Sequence, residues 1–197
     1  MTRQGVPGWY IESCKKITYL FPKAHAVAYV MMAFRIAWFK VHKPLEFYSA
    51  YFYRRSQKDS FDAESMTFGI DVVRAKIREI RSNTETKVKD EELLTTLEAC
   101  YEFYMRGFEF VGVDLYESDP VKFLITGENK LRPPFVAISG LGETAAHDLA
   151  AMRVSHEFIS VDDISRACTK VSIAHIEQLK LLGALRNLPE SSQMSLF

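Results

Sequence analysis

The run FPKAHAVAYVMMAFRIAWFKVHKP (residues 21–44) decides how the rest of the chain is read. Its apolar residues fall on nearly every face, and Pro22 stands where a first helical turn accepts proline. The pattern predicts one largely buried helix that ends before Pro44. The positions Lys23, His25, Arg35, Lys40, His42 and Lys43 are all neutral or basic, and between Glu12 and Glu46 there is no acidic residue against six Lys or Arg. A buried helix keeps cations only against a carboxylate, a phosphate or water. Two readings follow. Either the cations reach solvent or a later acidic segment, or the helix N-terminus with Lys23 and His25 meets a polyphosphate or a nucleic-acid backbone.

The chain has 197 residues, 48% hydrophobic and 13% aromatic, enough for one or two small domains. A formal net charge of zero hides a segregation of sign: basic early, then ten acidic residues against three basic ones over residues 85–119. Cys14, Cys100 and Cys168 are far apart and form no CxxC pair, which argues against a disulfide framework or zinc site and for a reduced, cytoplasmic setting. The start MTRQGVPGWY lacks the apolar core of a signal peptide. The central apolar run is broken by His25 and Arg35 and is expected to fall short of the ~20 residues of a membrane span, so a soluble protein without membrane contact is expected.

Residues Phe21-Pro22-Lys23-Ala24-His25-Ala26, then Ala28-Tyr29, Lys40-Val41-His42 and Pro44, resemble the fingers segment of bacterial C-family replicative DNA polymerases. Upstream, Gly5-Val6-Pro7, Trp9-Tyr10-Ile11 and Ser13-Cys14-Lys15-Lys16-Ile17 narrow the resemblance to the PolC-type DNA polymerase III α subunit. The resemblance covers essentially the whole chain and implies the C-terminal part of a far longer polypeptide, a fragment or split product. It implies that Phe21, Lys23 and His25 lie near the incoming dNTP, with Arg35 a further nucleotide-binding candidate. Lys and His suit its phosphates and Phe its base or sugar.

Taken in order, residues 1–19 open with Pro and Gly and then give a short helical pattern through Ile11, Cys14, Ile17 and Leu20. Residues 45–55 (LEFYSAYFYRR) read as a second packed helix whose aromatics belong to a core rather than a base-stacking face. Residues 56–64 are polar and read as a loop. Residues 70–81 form an amphipathic helix with a basic outer face, and residues 82–87 a linker. Residues 90–106 form a second amphipathic helix, with an acidic face suited to solvent or a basic partner and Gly107 in the C-cap place. The period then changes. Residues 110–116 and 122–126 read as short strands, 127–130 as a turn, and Pro133-Pro134 as a break between subdomains. Residues 171–182 form a last amphipathic helix ended by Gly183.

After the break, Phe135-Val136-Ala137-Ile138-Ser139-Gly140-Leu141-Gly142-Glu143-Thr144-Ala145-Ala146 matches the hydrophobic-Gly-hydrophobic-Gly pattern of a helix-hairpin-helix. Glycines permit positive φ and close approach, so backbone N–H groups at the start of the second helix can face a DNA phosphate without reading a base. Gly140, Leu141, Gly142 and Thr144 are the DNA-backbone candidates. Ala146 and Leu149 fall where the second helix packs on the first, and Ser160 with Asp163 suggests a capping box for the next helix. Ser139 stands where the family pattern has proline, and Glu143 and Asp148, with no Lys or Arg before Arg153, set the local charge against a phosphate. The tail Gln193-Met194-Ser195-Leu196-Phe197 resembles a sliding-clamp-binding motif, with Gln193 hydrogen-bonding at one edge and Met194, Leu196 and Phe197 entering an apolar groove.

The expected architecture is mainly α with a small β hairpin or sheet. It comprises the end of a polymerase fingers domain (residues 1–82), a connecting subdomain (83–132), a helix-hairpin-helix DNA-binding domain (133–188) and a flexible clamp-binding tail (189–197). No palm carboxylate cluster stands in the chain, so no catalytic or metal-ligating residue is assigned, and Mg2+ is expected only in the palm of a full-length parent. The implied function is that of part of a DNA-templated DNA polymerase, itself inactive. Its partners would be primer-template duplex, dNTP, the β sliding clamp and other replisome subunits. A stand-alone, non-enzymatic DNA-binding or clamp-adaptor module is the alternative, and a helical protein with no nucleic-acid role, its GLG an ordinary turn, is a third.

Overall fold

The computed structural model describes residues 1–17, 22–58, 60–83 and 87–191, and they fall into two compact units, Met1–His42 and Lys43–Phe197. The first holds a short 3-10 turn (Thr2–Gln4), α1 (Gly8–Lys15) and α2 (Lys23–His42). The carbonyl of Pro22 accepts from the N–H groups of His25 and Ala26 at 2.9 and 3.2 Å, so the proline sits just ahead of α2.

Two expectations about this helix are overturned. It runs for 20 residues and contains an 18-residue stretch with a mean hydropathy of 1.2, so by length and composition alone it could cross a membrane. It also has no buried residue: Tyr29 is 67% and Phe34 73% exposed. The helix is as apolar as the sequence indicates, but burial depends on what packs against it, which its own sequence does not specify.

In the second unit the aromatic segment is core, as expected. Helix α3 (Pro44–Ser56) starts with proline at its first turn and buries Leu45, Tyr48 and Phe52. At the end of the expected loop a four-residue helix, α4 (Ala63–Met66), is set by Asp62, whose carboxylate accepts from the N–H groups of Glu64 and Ser65 at 3.2 Å each. Helices α5 (Ile70–Ser82) and α6 (Val88–Met105) pack side by side, and α6 ends where Gly107 takes φ 82°. Part of the acidic face of α6 meets the basic face of α5, with Arg81 Nη2 2.7 Å from Glu98 Oε1. The expected boundary at 82/83 therefore falls between helices that pack together within one unit.

A three-stranded sheet follows, ordered β1 (Glu109–Phe110), β3 (Lys130–Arg132), β2 (Leu124–Gly127), with β3 parallel to β1 and antiparallel to β2. The strand expected over 110–116 is cut short because the Asp114 carboxylate accepts from the N–H groups of Tyr116 and Glu117 at 2.8 and 2.9 Å and turns the chain. Lys130, read as part of a turn, instead opens β3 and pairs with Glu109 across it at 2.8 Å.

The core between α3, α6 and the sheet is a cluster of rings. Phe103 stacks on Phe110 at 4.6 Å and meets Phe52 edge-on at 5.7 Å, while Phe61 lies 5.0 Å from Phe123. Ser49 Oγ donates to the Phe123 carbonyl at 2.8 Å and ties α3 to the approach of β2.

Truncating the fully buried Phe52 to Ala should cost about 3–5 kcal/mol, whereas Phe34→Ala on the exposed α2 should stay within roughly 0.5 kcal/mol. Urea unfolding followed by circular dichroism checks both, and equal losses would refute this division between core and surface.

Candidate nucleic-acid interface

The break at Pro133-Pro134 leads into a 3-10 turn (Phe135–Ala137), the loop 138–142, and α7 (Glu143–Ser155). The Leu141 N–H donates to the Ile138 carbonyl at 3.0 Å, which closes the loop, and the Leu141 side chain is buried beneath it. Gly140 has φ 77°, and a Cβ there would meet nothing nearer than His175 Nε2 at 3.9 Å. The glycine is therefore required by backbone conformation, not by space. Gly142, at the N-cap, offers no side chain to the first-turn N–H groups of α7, and Thr144 is exposed beside them. The structure thus gathers Gly140, Gly142 and Thr144 at one surface and sets Leu141 underneath as their anchor.

The same arrangement recurs further along. Helices α8 (Val161–Ala167) and α9 (Ile173–Leu181) flank residues 168–172. The Val171 N–H donates to the Cys168 carbonyl at 3.1 Å, matching Leu141 and Ile138, and Ile176 N–H to the Ser172 carbonyl at 3.1 Å, matching Ala146 and Gly142. Buried Ile138, Leu141, Ala146 and Leu149 correspond in spacing to buried Cys168, Val171, Ile176 and Leu179. This second hairpin was missed because Lys170 and Ser172 replace the glycines. The repeated apolar spacing was the available signal.

The hairpins differ at the helix start. Ser172 Oγ accepts from the His175 N–H at 3.3 Å, and His175 Nδ1 accepts from the Ser172 N–H at 3.2 Å, so α9 caps itself. His175 Nε2 lies 3.0 Å from the Gly140 carbonyl oxygen. A ring whose Nδ1 accepts must carry its proton on Nε2, so His175 donates across to the first loop and joins the hairpins. The Lys170 N–H donates to Asp148 Oδ2 at 3.1 Å, a second link.

Two residues weighed as local charge near the hairpin thus turn out to be structural. Asp148 holds the second loop, and Arg153 Nη1 donates to the carbonyls of Leu115 and Ser118 at 2.8 and 2.6 Å with its guanidinium 5.5 Å from the Phe135 ring. Burial lowers the Arg153 pKa from the usual guanidinium value. Glu143 remains at the start of α7, where Nε2 of Gln57, just past the end of α3, donates to it at 3.3 Å.

The capping box expected at Ser160 is half formed. Ser160 Oγ accepts from the Asp163 N–H at 3.2 Å, but the Asp163 carboxylate turns to His156 Nε2 at 2.8 Å and the Ile159 N–H at 3.2 Å. Those bonds, the His156 one foremost, hold the Asp163 carboxyl below the usual carboxylate value. Burial pushes the Cys100 thiol up and the Cys168 thiol up to about 11. Among the described residues no three His, Cys, Asp or Glu side chains cluster as metal ligands.

Lys23 and His25 stand together in the first turn of α2, both exposed, with the His25 ring 4.6 Å from Tyr29. Arg35 lies on the same helix about 18 Å further along its axis, so α2 alone does not bring it to them. Phe21, Gln193, Met194, Leu196 and Phe197 lie outside the described residues.

Two linked hairpins beside a small sheet define a helix-hairpin-helix domain, and a family model described as "Helix-hairpin-helix motif" matches residues 107–194. Over its whole length the chain is 48% identical to the DNA polymerase III PolC-type of Clostridium perfringens, 49% to that of Caldanaerobacter subterraneus subsp. tengcongensis and 46% to that of Thermotoga maritima. The chain belongs to the PolC-type DNA polymerase III family. It spans 13–14% of the length of these relatives.

Gly140→Ala should destabilise the domain by about 1–2 kcal/mol through its positive φ alone. Thermal unfolding of the full chain measures this, and an unchanged midpoint would contradict the strained-loop account.

Proposed function

We propose that this chain acts as part of a replicative DNA polymerase that extends DNA from dNTPs on a template. Its hairpins would hold the backbone of the primer-template duplex without reading sequence. The observation that carries this reading is the uncovered N-terminus of α7 behind Gly140 and Gly142, in a chain 46–49% identical to PolC-type polymerases from end to end. Backbone N–H groups at a helix start favour a phosphate, and the glycine loop lets the strand approach closely. Identity that extends through α2 favours the polymerase reading over a stand-alone adaptor.

On this reading Phe21, Lys23 and His25 face the triphosphate and sugar of an incoming dNTP, and the apolar surface of α2 packs against the rest of the polymerase. The chemistry itself, with its Mg2+, belongs to a palm outside this chain, and the setting is the cytoplasm. The terminal Gln193, Met194, Leu196 and Phe197 tether the enzyme to the β sliding clamp, among other replisome subunits. The cost of ordering a tail keeps such an isolated contact modest.

The purified chain should bind a fluorescent duplex with no sequence preference and with affinity falling steeply as salt rises, about 0.9 in log–log slope per phosphate neutralised. Glu143→Gln should tighten that binding several-fold by removing an anion beside the phosphate. Salt-independent binding, or none, would remove the hairpin from the argument. In a polymerase that carries this segment, Lys23→Ala with His25→Ala should raise the KM for dNTP, and unchanged kinetics would exclude a triphosphate contact. Leu196→Ala with Phe197→Ala should abolish binding to the β clamp, measured by surface plasmon resonance. Equal binding by wild type and variant would show that the tail is not the tether.

A further inference from the structure

The one Lys or Arg of the first hairpin, Arg153, is committed to the Leu115 and Ser118 carbonyls. The fold brings cations from elsewhere. Beside the loop lies an open hollow of about 440 Å3, lined by Ser139 and Gly140 on the hairpin and by Lys76 of α5 and Lys89 of α6. We propose that Lys76 and Lys89 complete the hairpin's phosphate site, so that one strand of the duplex runs from the α7 N-terminus over Gly140 into this hollow.

Lys89 is exposed, and among the described residues no carboxylate pairs with it. It occupies the first turn of α6, where a cation opposes the helix dipole, so its place there does nothing for the helix. Lys76 is held by Glu79 at 2.8 Å and keeps a third of its side chain in solvent. The one acid that shares the hollow, Asp62, has its carboxylate occupied in capping α4. An ammonium is a compact charge on a long stem, suited to a phosphate it must reach across a gap of this kind. Neither lysine is close in sequence to residues 138–144, so a reading of the hairpin alone finds the site uncharged.

The inference rests on duplex binding by the hairpin, and the test separates the two. Binding of fluorescent duplex by the full chain is measured against salt for wild type, Gly140→Ala, Lys76→Gln with Lys89→Gln, and Lys122→Gln as a surface control. The proposal expects the lysine pair to weaken binding roughly ten-fold near physiological salt and to flatten the log–log slope by about 1–2, with Lys122→Gln close to wild type. Duplex binding that Gly140→Ala weakens but the lysine pair leaves unchanged overturns the lysine site while the hairpin stands. A loss as large in Lys122→Gln overturns it too, as diffuse attraction. No duplex binding by wild type removes both. A nucleoside triphosphate offered without duplex distinguishes the sources of phosphate, and a lysine effect confined to it also overturns the duplex track.

Discussion

The contact on which the larger unit depends is the ring cluster around Phe103. Phe103 touches Tyr48 and Phe52 of α3 and Phe110 of β1 from its own place on α6, so one side chain fastens two helices to the sheet. Each such buried ring is worth about 1.5–3 kcal/mol in area and about 0.5–1.5 kcal/mol more in ring pairing. That fixed frame is what delivers the chain to the hairpin. The Ser118 hydroxyl donates to the Pro133 carbonyl at 2.9 Å, and Phe135 N–H to the Asp119 carbonyl at 3.1 Å, so the loop after β1 and the entry to the hairpin are one hydrogen-bonded block.

From that block outward the hairpins form a pair rather than two separate motifs. His175 satisfies its own helix start with Nδ1 and the neighbouring loop with Nε2, and Asp148 returns the link from α7 to residue 170. The division of labour is chemical. The second hairpin spends its serine on capping itself, while the first, with glycine at the same place, leaves its N–H groups available to an outside acceptor.

Much of this was legible in the sequence where a local rule decides. The α5 and α6 periodicities, Gly107 and Gly183 as helix ends, and Gly140 as the left-handed turn all follow from residue chemistry within a few positions. The failures share a different cause. The strand over 110–116 lost to side-chain hydrogen bonds from Asp114 that apolar alternation does not register. The second hairpin lay hidden because its turn uses Lys170 and Ser172, so only the spacing of buried residues betrays it. The surroundings of the first hairpin are likewise set by tertiary packing: Asp148 and Arg153 hydrogen-bond within the fold, and Lys76 and Lys89 reach the neighbouring hollow from α5 and α6.

Helix α2 is the instructive case. An all-round apolar helix in a folded protein is ordinarily buried or membrane-spanning, yet this one has no buried residue. Both ordinary explanations assume that the partner surface is at hand. The chain spans 13–14% of the length of its relatives, so most of the surface available to such a helix in those proteins belongs to sequence beyond this segment. The cations argue in the same direction: Lys23 and His25 share one turn, whereas Arg35 stands about three turns away. Cations in the first turn of a membrane span can reach the interface, but an arginine near its middle is costly there, so Arg35 is the residue that argues against a span. A helix that packs along its length and presents its N-terminal turn to an anion gains from the pair at the start and tolerates the arginine where its long stem can reach water.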